Sequence, residues 1–279
     1  QLKNGAEKNM AVKLDSIIKG KDKKPPRMIF YAVSGFGKTT FASQTPDPIF
    51  IQCEEGVGNL EYARFPLAKT YSDVVEALGT LATEDHKYRT VVIDTIDLLE
   101  KLIFDQVVTD HNESSSKQIN NIGDIGYGAG YTRALNYWNS IMRAIDYLRN
   151  NRDMMSVLLA HSQIKKFTPP DAETYDRYRF NLHDGASEVL KDWVDIVLFG
   201  NYRVHTKTTG EGFNKTTKGI GGDRYIYTQE RPAHWGGNRY SLPYELPFPE
   251  GQQWAVLKDA IWPPKNKKVE TETQADTMI

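Results

Sequence analysis

The chain has 279 residues, of which 39% are hydrophobic and 25% charged, and its formal net charge is −1. Its length suits one large α/β domain, no apolar run reaches the length of a membrane span, and the single cysteine, Cys53, excludes an internal disulfide. The balanced charge gives no support for nucleic-acid binding through overall charge, so any such contact must come from a local patch.

The first part of the chain predicts strands that alternate with helices. Residues 1–27 are rich in lysine and end in two prolines, and we interpret them as a flexible lead-in without the apolar run of a secretory signal. Residues 28–33 are an apolar run that predicts a buried strand. The same pattern recurs at 48–53, 90–94 and 155–161. Helices are predicted in between, at 72–84 and 131–148. This alternation predicts a mostly parallel sheet.

Two stretches between these elements lack apolar periodicity, and we predict irregular structure at 112–130 and 164–185. Farther on, 194–205 and 224–230 predict a long antiparallel hairpin, and the polar residues 263–279 predict a disordered tail. The predicted fold is therefore an α/β domain over 28–262, with a mostly parallel sheet flanked by helices and a C-terminal antiparallel hairpin. The tip of this hairpin carries three lysines, Lys207, Lys215 and Lys218.

The loop after the first strand has the motif of a phosphate-binding loop that opens a helix. Gly35 and Gly37 allow positive φ, so that backbone N–H groups can point at an anion. Lys38 supplies charge for the β and γ phosphates, and the Thr39 hydroxyl suits Mg²⁺. Ala32 stands where the first glycine is usual, and we interpret it as a tolerated variant. The predicted nucleotide contacts are Ser34, Gly35, Phe36, Gly37, Lys38, Thr39, Thr40 and Asp94.

Carboxylates end two of the other predicted strands. Asp94 ends the strand at 90–94, at the sheet edge where α/β proteins bind ligands, and it is suited to hold Mg²⁺ through water together with Thr39. Glu54 and Glu55 end the strand at 48–53, and either could activate water for hydrolysis. We interpret Asp97 as a helix-start residue. We interpret His161 and Trp138 as packing residues, and with no Cys/His cluster we expect no structural metal.

The order of these segments resembles that of the RecA-like ATPases, and most of all the small RecA-core recombinases and single-strand annealing proteins of bacteriophages. The resemblance covers residues 28–250. It implies ATP and Mg²⁺ as cofactors and favours Glu54 over Glu55 as the catalytic base. It also implies a γ-phosphate-sensing role for Gln163, as well as a catalytic role in the neighbouring subunit for Arg239, with Arg231 as the local rival.

The resemblance also implies contacts to single-stranded DNA. Residues 123–124 and 128–143 are similar to the family's first DNA-binding loop and the helix after it, and 164–185 to its second loop. Cations that follow phosphates and aromatic rings that stack on bases are suited to this binding. The predicted DNA contacts are Lys165, Lys166, Phe167, Arg177, Tyr178 and Arg179.

The sequence thus predicts a RecA-type ATPase that assembles as a ring or filament on single-stranded DNA and promotes annealing or strand exchange. A single-strand-binding protein is a further candidate partner. We expect no membrane partner and a location in the cytoplasm, that of the host if a phage encodes the chain. One alternative is a RecA-core ATPase that acts on a protein partner. A P-loop kinase ranks last, since we find no arginine-bearing lid.

Overall fold

The computed structural model describes residues 16–17, 19–20, 24–56, 60–203, 205–209, 216–220 and 222–264, and for 205–209 and 216–220 only the backbone. Within these ranges the chain forms a mixed sheet with helices on both faces. The predicted lead-in and tail lie largely outside the described residues.

The elements follow one another along the chain as strands and helices in alternation. The strands are β1 (Arg27–Ala32), β2 (Pro48–Gln52), β3 (Ala63–Arg64), β4 (Thr90–Asp94), β5 (Met155–Phe167), β6 (Tyr175–Phe180), β7 (Ile196–Tyr202), β8 (His205–Thr209), β9 (Thr216–Ile220), β10 (Arg224–Tyr227), β11 (Gly237–Asn238) and β12 (Glu245–Pro247). The helices are α1 (Lys38–Ser43), α2 (Tyr71–Thr83), α3 (Ile96–Ser114), α4 (Ala129–Asn151), α5 (Asp184–Trp193) and α6 (Gln253–Ile261).

The main sheet has the strand order β12-β10-β7-β1-β5-β4-β2-β3. The strands from β7 to β3 are all parallel, while β10 and β12 join antiparallel at one end. The predicted α/β fold with a mostly parallel sheet is therefore confirmed. β1 and β4 are buried along their whole length, in keeping with their apolar runs.

Side chains of the central strands alternate between two apolar cores. Val92 and Leu159 lie in the core beneath α1 and α6, whereas their neighbours lie in the core beneath α2 to α5. Because side chains alternate along a strand, Asp94 and His161, two residues farther on, lie on the α1 face. This alternation places both at the sheet edge where the β1–α1 loop also lies.

The irregular structure predicted at 112–130 is wrong in part. α3 continues to Ser114, and two short 3₁₀ turns, Ile122–Asp124 and Gly126–Gly128, lead into α4. The Asp124 carboxylate accepts the backbone N–H groups of Asn120 and Asn121 at 3.2 and 3.1 Å. Turns stabilised by short polar side chains have no apolar periodicity, so the pattern alone suggested a loop.

The irregular structure predicted at 164–185 is wrong in part. β5 runs on to Phe167, and β6 returns antiparallel to it, with Lys165 opposite Arg177. α5 then begins at Asp184. The sequence analysis missed this β5–β6 hairpin because its charged and aromatic residues line faces that are partly exposed, where an apolar pattern is not needed.

The antiparallel hairpin predicted at 194–205 and 224–230 is confirmed by the pairing of β7 with β10. β7 also pairs in parallel with β1, so one strand belongs to both the hairpin and the central sheet. β8 and β9 form a separate antiparallel pair in which Lys207 lies opposite Lys218. Lys215 lies outside the described residues.

None of the helices within the described ranges is both long and apolar enough to cross a bilayer.

Candidate functional site

The loop between β1 and α1 has the backbone shape that its glycines allow. Gly35 and Gly37 have φ values of 71° and 102°, in the left-handed region that side chains disfavour. Ser34 and Gly35 are exposed, whereas Phe36 is fully buried, and Lys38 is the first residue of α1. The loop is therefore exposed to solvent at Ser34 and Gly35, while the buried Phe36 ring anchors it to the core.

Phe36 and Ala32 both pack against a glycine on the neighbouring strand. The Phe36 ring stacks on Phe248 with 5.1 Å between ring centroids. A methyl group on Gly200 would lie 2.5 Å from the Phe36 ring and 2.9 Å from the Ala32 methyl. Gly200 is also the residue that pairs with Ala32 between β1 and β7. Gly200 thus makes the room that an alanine needs at the first position of the motif.

Lys38, Thr39 and Asp94 meet where β4 ends. The Thr39 hydroxyl donates a hydrogen bond to Asp94 Oδ2 at 2.8 Å. Burial lowers the pKa of Lys38 and raises the pKa of Asp94, so both side chains lie in a poorly solvated place. Thr40, the last residue of the predicted loop, follows in α1.

The oxygens of this group fit Mg²⁺. In nucleotide sites this ion is held by one or two side-chain oxygens together with phosphates and water. Thr39 supplies a hydroxyl, and Asp94 Oδ1 is buried without a hydrogen-bond partner among the described residues. A hydrated cation would satisfy that oxygen.

Glu54 and Glu55 follow β2 at the same edge of the sheet. Glu54 is half-buried and Glu55 is exposed. Burial raises the pKa of Glu54, while the nearby charges of His161 and Lys38 act in the opposite direction. Glu54 therefore interacts electrostatically with Lys38 and His161, and its raised pKa is the direction that suits a proton acceptor.

Sequence reasoning missed the pairing of Asp97 with His161. Asp97 accepts the backbone N–H of His161 at 3.0 Å and contacts its ring Nδ1 at 2.8 Å. Although burial opposes ionisation, these hydrogen bonds lower the pKa of Asp97. Asp97 lies in the first turn of α3 but does not cap it, and the half-buried His161 is more than a packing residue. The two residues are 64 positions apart, and no local motif joins them.

Gln163 lies on β5 two residues beyond His161. Its amide donates to the carbonyl oxygens of Phe180 and Leu182 at 2.7 and 3.2 Å. The Gln163 side chain therefore links β5 to the end of β6 and the residues after it, and both hydrogen bonds use its amide nitrogen.

The predicted DNA contacts lie on the β5–β6 hairpin, and most of its cations have acidic partners. Lys165 pairs with Asp184 at 2.6 Å and Arg177 with Glu230 at 3.3 Å. Arg179, with its guanidinium 4.0 Å from the centre of the Trp235 ring, also pairs with Asp184. The other three residues differ in exposure: Lys166 and Phe167 are exposed, and Tyr178 is partly buried against the core.

The two segments predicted to form DNA-binding loops meet beside the site. The rings of Tyr131, in the first turn of α4, and His183, just before α5, stack with 4.1 Å between centroids. Glu100 of α3 accepts the backbone N–H of His183 at 2.9 Å. The first turns of α3 thus contact the chain just before the hairpin, through Asp97 and His161, and just after it, through Glu100 and His183.

Arg239 and Arg231 lie away from the phosphate loop. Arg239 pairs with Asp195 at 3.2 Å, directly before β7 and so at the opposite edge of the sheet. Its side chain is 60% exposed and could reach another molecule. The Arg231 guanidinium lies 4.4 Å from the centre of the Tyr244 ring. Among the described residues, neither arginine contacts the phosphate loop.

A cavity of about 430 Å³ opens beside the loop, on the side away from Glu54. Its lining includes Tyr202, Arg224, Phe248 and Pro249. The Tyr202 hydroxyl donates to the Gly35 carbonyl oxygen at 3.4 Å, and the Arg224 guanidinium lies beside Gly37. The loop therefore separates an aromatic cavity on one side from a group of carboxylates on the other.

This loop, with Lys38, Thr39 and Asp94 at the edge of a parallel sheet, defines a P-loop domain of the ATPase type. Residues 24–240 match the model of the AAA domain family, and since this is most of the chain, the chain belongs to that family. AAA domains point to nucleotide hydrolysis and to nucleotide binding, usually with Mg²⁺. No curated protein matches the sequence.

Proposed function

We propose that the chain is a RecA-type ATPase that couples ATP hydrolysis to the binding of single-stranded DNA and to assembly into a ring or filament, as phage recombinases and annealing proteins do. The observation that carries the proposal is the continuity of β5. This strand lies beside the phosphate loop at His161 and continues directly, from Ser162 to Phe167, as the first arm of the β5–β6 hairpin.

The cavity beside the loop supports ATP as the nucleotide. Lys38 and Thr39 bind the β and γ phosphates and Mg²⁺, and Glu54 activates the water that attacks the γ phosphate. Because the carboxylates occupy one side of the loop, the nucleoside extends to the other, into the cavity beside Tyr202 and Arg224. An aromatic ring and a guanidinium are suited to stack on a base.

The exposed residues of the hairpin support DNA as the partner. Ile164, Lys166 and Phe167 present apolar, cationic and aromatic groups to solvent. Such a combination binds single strands through phosphate contacts and base stacking. The exposure of Arg239, at the edge opposite the loop, supports a contact with the ATP of a neighbouring subunit in a head-to-tail assembly.

The ion pairs of the hairpin favour a second candidate, an ATPase that acts on a protein partner. Lys165, Arg177 and Arg179 each have an acidic partner within the chain, which reduces the charge available to phosphates. A hairpin of this kind also suits a contact with another protein.

The binding of a labelled single-stranded oligonucleotide, measured by fluorescence anisotropy, distinguishes the two functions. We expect tight binding with a non-hydrolysable ATP analogue, weaker binding with ADP, and a fall in affinity as salt rises. Lys166→Ala should weaken the binding and reduce the salt dependence by about one phosphate contact.

Lys87→Ala is the matched control, because Lys87 is an exposed lysine just before β4, at the other edge of the sheet. Equal effects of the two substitutions, or no DNA binding with either nucleotide, would contradict the DNA-binding function and favour an ATPase that acts on a protein partner.

A further inference from the structure

His161 and Asp97, beside the phosphate loop, are joined by two hydrogen bonds. Asp97 uses both carboxylate oxygens on His161, Oδ1 for the backbone N–H and Oδ2 for the ring Nδ1. The Asp97 side chain is 5% exposed, whereas that of His161 is 34% exposed. The buried Asp97 carboxylate therefore fixes the orientation of the His161 ring, which remains partly exposed to solvent.

The ring nitrogen available to a ligand is Nε2. Because Nδ1 faces a carboxylate, it carries a hydrogen. Nε2 makes no hydrogen bond to another described residue. The position resembles that of an enzyme histidine oriented by an aspartate, with one nitrogen used for orientation and the other left for the reacting group.

His161 lies at the sheet edge that carries the phosphate loop. In the β1–β5 ladder it is opposite Ala32, the first residue of the phosphate motif. The hydrogen bond with Asp97 raises the pKa of His161, while the charge of Lys38 acts against the rise and that of Glu54 adds to it. The charged groups around the ring are thus Asp97, Lys38, Glu54 and Asp94, and Lys38 and Glu54 flank the proposed γ-phosphate position.

We propose that His161 donates a hydrogen bond from Nε2 to the terminal phosphate of ATP and that Asp97 is its positioning residue. This inference rests on the proposed nucleotide site. With a carboxylate on one side and a phosphate on the other, both ring nitrogens act as donors, and such charge-assisted bonds are the strong ones. ADP has no γ phosphate, so the contact distinguishes the two nucleotides.

The same residue connects the nucleotide to the hairpin. The His161 carbonyl oxygen accepts the backbone N–H of Asn181 at 2.9 Å, where the second arm of the hairpin ends. A shift of His161 toward a phosphate would therefore move β5 directly, and the end of β6 through the hydrogen bond to Asn181. This connection precedes Gln163 along the strand, and it does not require the Gln163 amide to leave Phe180 and Leu182.

The test measures the affinity of the full chain for ADP and for a non-hydrolysable ATP analogue by titration calorimetry. His161→Ala should weaken triphosphate binding on the order of 10- to 100-fold, the size of a lost charge-assisted hydrogen bond, with ADP affinity unchanged. His161→Gln retains a donor and should recover part of the loss. His111→Ala, at the far end of α3, is the control and should change neither affinity.

A double-mutant cycle tests the role of Asp97. Asp97→Asn alone should reduce the preference for the triphosphate, and in the His161→Ala background it should cause no further loss. If His161→Ala does not fold, His161→Gln and Asp97→Asn still carry the test.

An unchanged triphosphate preference in the His161 variants would overturn the proposal. A loss of that preference in Gln163→Ala alone would move the contact to Gln163. If the unaltered chain binds neither nucleotide, the proposed nucleotide site itself is wrong.

Discussion

Glu54 and Glu55 are neighbours in the sequence that differ in their surroundings. Glu54 is half-buried near Lys38 and His161, and Glu55 is exposed to water. A base that activates water must lie near the γ phosphate and have a pKa that suits proton transfer. Because burial raises the pKa of Glu54, we propose Glu54 and not Glu55 for this role.

Glu54→Gln should therefore leave ATP binding intact and slow hydrolysis by roughly 10²- to 10⁴-fold. Single-turnover hydrolysis and nucleotide titration measure the two effects. Glu55→Gln is the matched control and should hydrolyse ATP normally. Normal turnover in the Glu54 variant with loss in the Glu55 variant would assign the base to Glu55.

Glu100 is a buried carboxyl group outside the phosphate site. It is 6% exposed, and burial raises its pKa from 4.5 to about 7, with the hydrogen bond from His183 acting against the rise. The folded chain therefore binds a proton at Glu100 that the unfolded chain releases between these pH values. This contribution to stability is fully present below pH 4.5 and is lost as the pH rises through about 7.

Glu100→Gln should remove this pH dependence, which we expect to be on the order of 3 kcal/mol in the free energy of unfolding. Urea unfolding at about pH 5 and about pH 8 measures it in both proteins. An equal pH dependence in the variant and in the unaltered chain would show that the proton is bound elsewhere.

At the scale of elements, the phosphate loop is held in place by the packing of β1 against β7. Gly200 provides the room for Ala32 and for the Phe36 ring. Both neighbours are buried, so neither can move without disturbing the loop. Gly200 is thus part of the phosphate site, although it lies on another strand.

Gly200→Ala should destabilise the fold by about 1–3 kcal/mol through overpacking and should weaken nucleotide binding. Gly79→Ala is the control: Gly79 lies within α2 with open space where a side chain would be, so alanine should stabilise the fold by about 0.5–1 kcal/mol. Thermal unfolding with and without nucleotide measures both. A neutral Gly200→Ala would contradict the packing account.

Sequence analysis predicted the central parallel strands and the amphipathic helices at 72–84 and 131–148, and it missed elements that carry charged residues on an exposed face. β4 was found with its observed bounds, because a parallel strand in the core must be apolar throughout. The β5–β6 hairpin and α5 were missed, since an exposed face accepts charged residues. The same limit applies to the site. The phosphate loop is one continuous motif, whereas Asp97 and His161 come together only when α3 packs beside β5.

At the scale of the whole molecule, the two edges of the sheet carry different candidate residues. The phosphate loop and the β5–β6 hairpin lie at the edge where the parallel strands end, and Arg239 lies at the opposite edge. In a head-to-tail assembly the loop edge of one subunit would face the Arg239 edge of the next. The proposed function therefore requires an oligomer for full activity.

The most direct test of this account is steady-state ATP hydrolysis by the purified chain with and without single-stranded DNA, at two salt concentrations, with Lys38→Ala as the blank. We predict turnover that DNA stimulates, a stimulation that weakens at higher salt, and no turnover in Lys38→Ala. Turnover that DNA leaves unchanged, together with no ATP-dependent DNA binding, would contradict the recombinase function, and turnover in Lys38→Ala would contradict the site.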